Sequence, residues 1–87
     1  MSGGHFEFEQ FKLHQIADDI EQMILDNDNQ DWEDKYAYET IAEFKEAVRL
    51  LRRAYIYVQR IDWLVSGDDV PATFHKRLHA QLKDQDV

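Results

Sequence analysis

The longest apolar pattern in the chain runs through residues 40–67, which read TIAEFKEAVRLLRRAYIYVQRIDWLVSG. Its apolar residues recur at steps of three and four, the period of an α-helix. A first stripe consists of Ile41, Phe44, Val48, Leu51, Tyr55, Val58 and Val65. A second stripe beside it consists of Ala47, Leu50, Ala54, Tyr57, Ile61 and Leu64. Because one stripe suffices for one neighbour, two stripes predict at least two packing partners, one of which can be a second copy of the chain.

Signals for both ends of this helix lie in the same stretch. Thr40 followed by Glu43 matches a capping box, which predicts Thr40 as the N-cap. Gly67 suits the residue that follows a helix C-terminus. The predicted helix spans about residues 40–66 and is roughly 40 Å long. A helix of this length in a chain of 87 residues also favours assembly.

Two shorter helices are expected, one on each side of the long one. The first spans about residues 10–26, where apolar residues recur at helical spacing. The other spans about residues 71–83 and begins at Pro71, which suits a first turn. Its core face is expected to consist of Phe74, Leu78 and Leu82. The sequence thus predicts a single all-α domain of three helices that assembles into a helical oligomer.

Aromatic residues flank the first helix on both sides. Phe6, Phe8 and Phe11 precede or open it and are expected to plug the core. Residues 27–38 follow it and are rich in Asn and Asp, which favour turns and predict a surface loop. Three aromatic residues near the end of that loop are expected to pin it to the core: Trp32, Tyr36 and Tyr38.

Composition excludes several classes of protein. The chain has no cysteine, so thiolate metal sites and disulfide frameworks are excluded. No apolar run approaches the roughly 18 residues of a membrane span, and the N-terminus lacks the pattern of a secretory signal. These features fit a cytoplasmic protein. A formal charge of −8 argues against direct binding to nucleic acid, because phosphate contacts need clustered Lys and Arg.

The charge is distributed unevenly along the chain. Residues 1–39 carry eleven acidic and two basic side chains, whereas residues 40–66 carry three acidic and five basic ones. The acidic third is therefore expected to meet the basic middle, within the chain or between copies. The acidic loop is also the favoured binding surface for a basic partner protein. Its expected contacts are Asp26, Asp28, Asp31, Trp32, Glu33 and Asp34.

A basic stripe on the long helix, opposite the expected core, consists of Arg49, Arg52, Arg53 and Arg60. Guanidinium groups suit phosphates and carboxylates, and a flat aromatic side chain can stack a base. One interpretation is a site for a small anionic ligand, such as a nucleotide signal, completed by Tyr57 and Trp63 across a subunit seam. The favoured interpretation is ion pairing with the acidic residues of the first helix.

A carboxylate, Asp62, interrupts the apolar pattern of the long helix. At that position it must find partners or become protonated. One interpretation is a small acidic site at the corner between the second and third helices, formed with Ser66, Asp68 and Asp69. The favoured interpretation is a structural network that fixes the turn, with Asp69 near the start of the third helix.

No catalytic pattern is recognisable, and we expect neither enzymatic activity nor a cofactor. None of the hydroxyl nucleophiles lies in a nucleophile-elbow or phosphate-loop motif. His75 and His79 have the four-residue spacing of helical metal pairs. However, Lys76 and Arg77 stand where the zinc-protease motif has glutamate, and a third ligand is not evident. Surface or interface histidines are therefore favoured over a metal site.

Three segments of the sequence together resemble one family. They are SGGHF at residues 2–6, IADDIE at 16–21 and RIDWLVSGDD at 60–69, the last followed by Phe74 and Leu78. They resemble an uncharacterised family of small proteins encoded by bacteriophages and other mobile elements. Val70 and Pro71 depart from the family pattern, in which small or acidic residues follow the Asp pair. The resemblance implies a phage or mobile-element protein in a bacterial cytoplasm and transfers no function.

The sequence therefore favours a non-enzymatic interaction protein of phage or mobile-element type. By analogy with other small acidic proteins of that origin, it would be an inhibitor or accessory factor that binds a basic surface of a host protein. The first alternative is an oligomer that sequesters a small anionic ligand through the arginine stripe. The second alternative is a structural or assembly subunit.

Overall fold

A computed structural model describes residues 6–31 and 35–85 of the chain. These residues form three α-helices, which we number α1 (Gln10–Asn27), α2 (Tyr38–Val65) and α3 (Pro71–Gln85). The predicted all-α architecture of three helices with a long central one is confirmed.

The start of α2 differs from the prediction. The N-cap is Ala37, which has extended backbone angles and no side-chain capping bond. The N–H of Thr40 donates to the Ala37 carbonyl over 3.0 Å, so Thr40 already lies within the first turn. The helix begins at Tyr38, two residues before Thr40. The predicted capping box of Thr40 and Glu43 is therefore wrong.

The end of α2 follows the sequence signal. Gly67 has a φ of +88°, in the left-handed region that favours glycine. The Gly67 N–H donates to the Leu64 carbonyl over 3.3 Å, and the Asp68 N–H donates to the Trp63 carbonyl over 2.9 Å. These two bonds form a Schellman motif, which satisfies carbonyls that the helix end would otherwise leave without a donor. Gly67 thus ends α2 and turns the chain toward α3.

Both shorter helices pack against α2, and within the described ranges they do not contact each other. The first residue of α1, Gln10, lies beside Gln59 in the C-terminal half of α2, so α1 runs antiparallel to α2. On the other flank, Gln81 and Gln85 of α3 bond with Arg60 and with the Arg49 carbonyl of α2. α2 is therefore the shared element of the fold and contacts two neighbours within the chain.

The buried core of this arrangement is small. Its apolar members are Ala17, Ile41, Val48, Leu78 and Leu82. The accessible surface of 6453 Å² exceeds the area of a compact protein of this mass by about 1,000 Å². The radius of gyration of 16.4 Å likewise exceeds the value of about 12 Å for a compact domain of this length. The chain is thus elongated, with extents of 52 × 26 × 13 Å.

The phenylalanines near the N-terminus do not fill the core. Phe8 and Phe11 are exposed and Phe6 is half-buried, so the prediction that they plug the core is wrong. Glu7 and Phe8 have positive φ angles, which place these residues in a tight turn before α1. Phe8 stacks on Phe11, and the Phe11 ring lies 5.8 Å from that of Tyr55. The rings of Phe8 and Phe11 therefore lie on the surface of the α1–α2 pair, beside Tyr55.

The aromatic residues after α1 contribute unequally. Tyr36 packs its ring 5.4 Å from that of Phe44, and its N–H donates to Oδ1 of Asn27 over 2.9 Å. Tyr38 is 82% exposed, so the prediction that it pins the loop is wrong. Trp32 lies outside the described residues. The contact of Tyr36 with Asn27 and Phe44 is thus the described link between this loop and the helices.

Candidate functional site

Arg52 is the centre of a charged cluster between α1 and α2. Its guanidinium lies 2.9 Å from carboxylate oxygens of both Asp18 and Glu21, and 3.1 Å from Nδ1 of His14. The hydrogen bond from Arg52 lowers the pKa of Asp18, and the same bond raises the pKa of Arg52. Arg52 thus lies against α1 and not opposite the core, which corrects the predicted position. For this arginine the geometry matches the ion-pairing interpretation.

Arg49 is engaged at both its side chain and its backbone. Its guanidinium forms a 2.6 Å contact with Glu46, three residues earlier on α2, and this hydrogen bond lowers the pKa of Glu46. The Arg49 carbonyl accepts a 2.9 Å hydrogen bond from Gln85 at the end of α3. Like Arg52, Arg49 therefore has a carboxylate partner within the chain.

Arg53 and Arg60 have a different environment, because each lies over an aromatic ring. The Arg60 guanidinium is 4.6 Å from the centre of the Trp63 ring, and that of Arg53 is 6.0 Å from the centre of the Tyr57 ring. Both distances fall within the range of cation–π contacts. Arg60 also donates to Gln81 of α3. The predicted four-arginine site is thus divided, and only its second half keeps cations beside aromatic faces.

Asp62 is fully buried and belongs to a network that joins the start of α1 to the end of α2. Its Oδ2 accepts a 3.0 Å hydrogen bond from Nε2 of Gln10, and its Oδ1 accepts a 3.3 Å bond from the Ser66 hydroxyl. The same Gln10 amide donates to Gln59 over 2.7 Å. Sequence reasoning missed Gln10 and Gln59. The available signal was the buried carboxylate itself, which requires donors without saying which residues supply them.

Asp69 is buried at the start of α3. Its Oδ1 accepts bonds from the Val70 N–H at 2.9 Å, from the Thr73 hydroxyl and, at 3.5 Å, from Arg77. The Thr73 bond is the main cause that lowers the pKa of Asp69, followed by the Val70 N–H and the charges of Arg77 and Arg60. Asp69 thus fixes the first turn of α3.

The predicted acidic corner does not form one site. Asp62 and Ser66 belong to the network with Gln10, whereas Asp69 bonds with the first turns of α3 and Asp68 is exposed. A cavity of about 190 Å³ lies beside Asp69 and is lined by Gly67, Asp68, Asp69, Val70, Thr73 and Arg77. The separation follows from the Schellman turn, which carries the chain away from α2 between Ser66 and Asp69.

The acidic surface lies at the C-terminal end of α1. Asp26, Asp28 and Asp31 are all exposed there, and Asp26 accepts a 3.0 Å hydrogen bond from Gln22. Asp26 lines a depression of about 270 Å³ together with Met23, Asn27, Gln30 and Tyr36. The other predicted contact residues, Trp32, Glu33 and Asp34, lie outside the described residues. We call Asp26, Asp28, Asp31, Met23 and Tyr36 the acidic end.

His75 and His79 are exposed on α3, and the His75 ring lies edge-on against Phe74. Within residues 6–31 and 35–85, no group of three or more His, Cys, Asp or Glu side chains is placed to hold a metal ion. In the same part of the chain, none of the helices combines the length and the apolar character needed to cross a bilayer.

Comparisons with known proteins returned no match: no family model, no curated protein and no solved structure matches the chain.

Proposed function

We propose that the chain is a non-enzymatic interaction protein whose acidic end binds a basic surface of another protein. The observation that carries this proposal is the position of the acidic residues at the C-terminal end of α1. The last turn of that helix has no basic residue, and Asp26 and Asp28 lie where the helix dipole is already negative. Acidic side chains at this position destabilise a helix. Their presence there favours a role in binding over a role in stability.

The acidic end also has the composition of a protein-binding surface. Met23 and Tyr36 are more than half exposed and line the 270 Å³ depression together with Asp26. Aromatic and methionine side chains supply much of the affinity at protein interfaces, and a charged rim supplies association rate and selectivity. The best-fitting partner therefore carries a basic rim around an apolar projection.

The setting implied by the family resemblance makes the proposal more specific. In a phage or mobile-element protein acting in the cytoplasm of a bacterial host, the partner would be a host protein with a basic, nucleic-acid-binding surface. The chain would act as an inhibitor or accessory factor, with a possible anti-defence role. We also propose that it acts as an assembly of its own copies, because one copy buries little of its apolar surface.

The experiment is affinity capture from host extract with three forms of the purified chain. The test variant combines Asp26→Asn, Asp28→Asn and Asp31→Asn. The matched control combines Glu7→Gln, Asp68→Asn and Asp84→Asn, which removes the same charge from exposed positions elsewhere. We expect one prey protein bound by the wild type and the control, lost by the test variant and weakened by high salt. Equal capture by the test variant, or binding that ignores salt, would refute the proposal.

A second candidate function is favoured by the two cation–π pairs. Arg53 over Tyr57 and Arg60 over Trp63 lie seven residues apart, about 10.5 Å along α2. This spacing suits a ligand with two anionic groups or with a phosphate and a base. The cavities of 190–270 Å³ in the described residues are smaller than typical ligand pockets, so a second copy would complete the site.

The ligand candidate is tested by calorimetric titration with mono- and dinucleotides. We expect Arg53→Ala and Arg60→Ala each to abolish binding, because each removes one guanidinium from an aromatic face. The matched control is Arg49→Ala, whose side chain already bonds with Glu46. Nucleotide binding that survives both substitutions would refute this candidate.

A further inference from the structure

One apolar row on α2 is only partly covered by the two neighbouring helices. α1 contacts α2 at Arg52 and Tyr55, and α3 contacts it at Arg60. Successive residues of a helix lie about 100° apart around its axis. The contact positions therefore fall on two sides of α2, and another set of residues lies on the remaining side. We call this set the outer stripe, and it consists of Ala47, Leu50, Ala54, Tyr57, Ile61 and Leu64. Leu50, Tyr57 and Ile61 are 51%, 37% and 36% exposed, whereas Ala47, Ala54 and Leu64 are half-buried.

The outer stripe has the spacing of a coiled-coil seam. Its residues follow one another at steps of three, four, three, four and three, which correspond to the a and d positions of successive heptads. The flanking e positions are Leu51, Val58 and Val65, and the flanking g positions are Glu46, Arg53 and Arg60. The e positions beside the seam are thus apolar and the g positions are charged, a pattern typical of a helix that packs against another helix.

The total surface area of the chain is large enough to leave one interface of ordinary size uncovered. The chain exposes about 1,000 Å² more than a compact protein of its mass, and a standard protein interface buries about 800 Å² of each partner. The uncovered surface also extends onto α1, where Ile20 and Met23 form an apolar groove of about 260 Å³ with Phe44 and Ala47. A single further helix from a second copy would cover much of the excess.

We propose that a second copy of this chain docks on the outer stripe, with the two α2 helices antiparallel and Leu50 of each copy opposite Ile61 of the other. This register fits small residues against large ones. It places Ala47 opposite Leu64 and Ala54 opposite Tyr57, so each alanine receives a large side chain. The proposal rests on the proposed self-association and identifies its surface.

A parallel pairing in the same stripe fits poorly. It would place Ala54 on Ala54 and Tyr57 on Tyr57, which leaves a gap in one layer and crowds the next. It would also align the dipoles of two helices of 28 residues, whereas the antiparallel pairing opposes them. Packing and electrostatics thus favour the same orientation.

Cysteine cross-linking tests the register, because the natural chain has no cysteine. We expect the double variant Leu50→Cys/Ile61→Cys to form a covalent dimer on oxidation. The single variants Leu50→Cys and Ile61→Cys should remain uncrosslinked, since neither position meets itself across an antiparallel seam. Crosslinking by either single variant would overturn the antiparallel register.

Sedimentation measured over a series of protein concentrations tests whether the outer stripe is the docking face. Leu50→Lys should weaken the dimer roughly tenfold or more, and Leu25→Lys, at a somewhat more exposed site on α1, should leave it unchanged. Adding Ile61→Glu to Leu50→Lys should restore the dimer, because the two introduced charges would then face each other.

The outcomes separate this proposal from the proposed function. A wild type that stays monomeric overturns both the docking face and the self-association. A dimer that survives Leu50→Lys overturns the docking face alone. Neither result bears on binding of a partner protein by the acidic end. The variant that combines Asp26→Asn, Asp28→Asn and Asp31→Asn tests that binding independently.

Discussion

Gln10 and Asp62 are separated by 52 positions in the chain, yet the Gln10 amide donates a 3.0 Å hydrogen bond to the buried Asp62 carboxylate. Gln10 is the first residue of α1, and Asp62 lies in the last turn of α2. The bond therefore closes the α1–α2 pair at one end. Because both side chains are almost fully buried, water cannot replace either partner readily.

The first prediction concerns this pair. Gln10→Ala should reduce the free energy of unfolding by about 1–3 kcal/mol, because it leaves a buried carboxylate without one of its donors. Asp62→Ala should have a similar effect. The double variant should lose less than the sum of the two, with a coupling of about 0.5–3 kcal/mol in urea denaturation. Strictly additive losses would show that the two side chains do not act together.

This pair also shows how far the sequence predicts the structure. A carboxylate inside an apolar helical pattern already predicts a buried network, since a lone buried charge is unstable. It does not predict the donor, because the choice between Gln10 and other polar residues depends on how α1 lies against α2. The same limit applies to the arginines. The sequence places Arg52 and Arg60 on one helix, but only packing sets Arg52 against α1 and Arg60 beside Gln81 of α3.

The two ends of α2 also differ in how well the sequence predicts them. Gly67 was predictable because few other residues tolerate its backbone angle. Thr40 matched an equally clear capping pattern, yet α2 begins at Tyr38. Tyr36 bonds with Asn27 and packs against Phe44, and these contacts position the chain so that α2 begins before Thr40. Tertiary contacts of this kind leave no local signal in the sequence.

The second prediction concerns Arg52. Arg52→Met keeps an apolar stem but removes the bonds to Asp18, Glu21 and His14, so the Tm should fall by about 4–8 °C. Because the folded state lowers the pKa of Asp18, the share of this contribution that comes from Asp18 is complete above the ordinary value of 3.8 and is lost as pH falls through the lowered pKa. Thermal melts at pH 7 and in this acidic window should therefore show the difference in Tm between wild type and variant becoming smaller.

The matched control for Arg52 is Arg49→Met. Its carboxylate partner, Glu46, lies on the same helix, and such local pairs contribute little to stability. We expect a clearly smaller change in Tm. Equal losses for the two variants would mean that the link from Arg52 to α1 is not what stabilises the fold.

The third prediction concerns Gly67. A β-carbon there would meet no atom within 4 Å, so the cost of Gly67→Ala arises from its φ of +88° and not from a clash. We expect a loss of about 1–2 kcal/mol in the free energy of unfolding. Gly67→Asn should lose less, since Asn tolerates the left-handed region. Similar losses for Ala and Asn in urea denaturation would contradict this explanation.

The fourth prediction concerns Asp69 and the start of α3. Asp69→Ala removes the acceptor for the Val70 N–H, the Thr73 hydroxyl and Arg77, so the Tm should fall by about 4–8 °C. Amide exchange should accelerate first in the N-terminal turn of α3. Asp69→Asn keeps an oxygen acceptor but loses the charge near Arg77, and should lie between the wild type and Asp69→Ala.

The pH dependence separates the charge of Asp69 from a merely steric role. Folding lowers the pKa of this carboxyl, chiefly through the Thr73 bond, so its contribution is present above 3.8 and disappears as pH falls through the folded value. In melts carried through that acidic window, the Tm of the wild type should approach that of Asp69→Asn, because a protonated Asp69 keeps an oxygen acceptor and loses only its charge. The difference between Asp69→Asn and Asp69→Ala should change little, because neither side chain titrates. A wild-type advantage that persists unchanged below the folded pKa would assign the effect to packing alone.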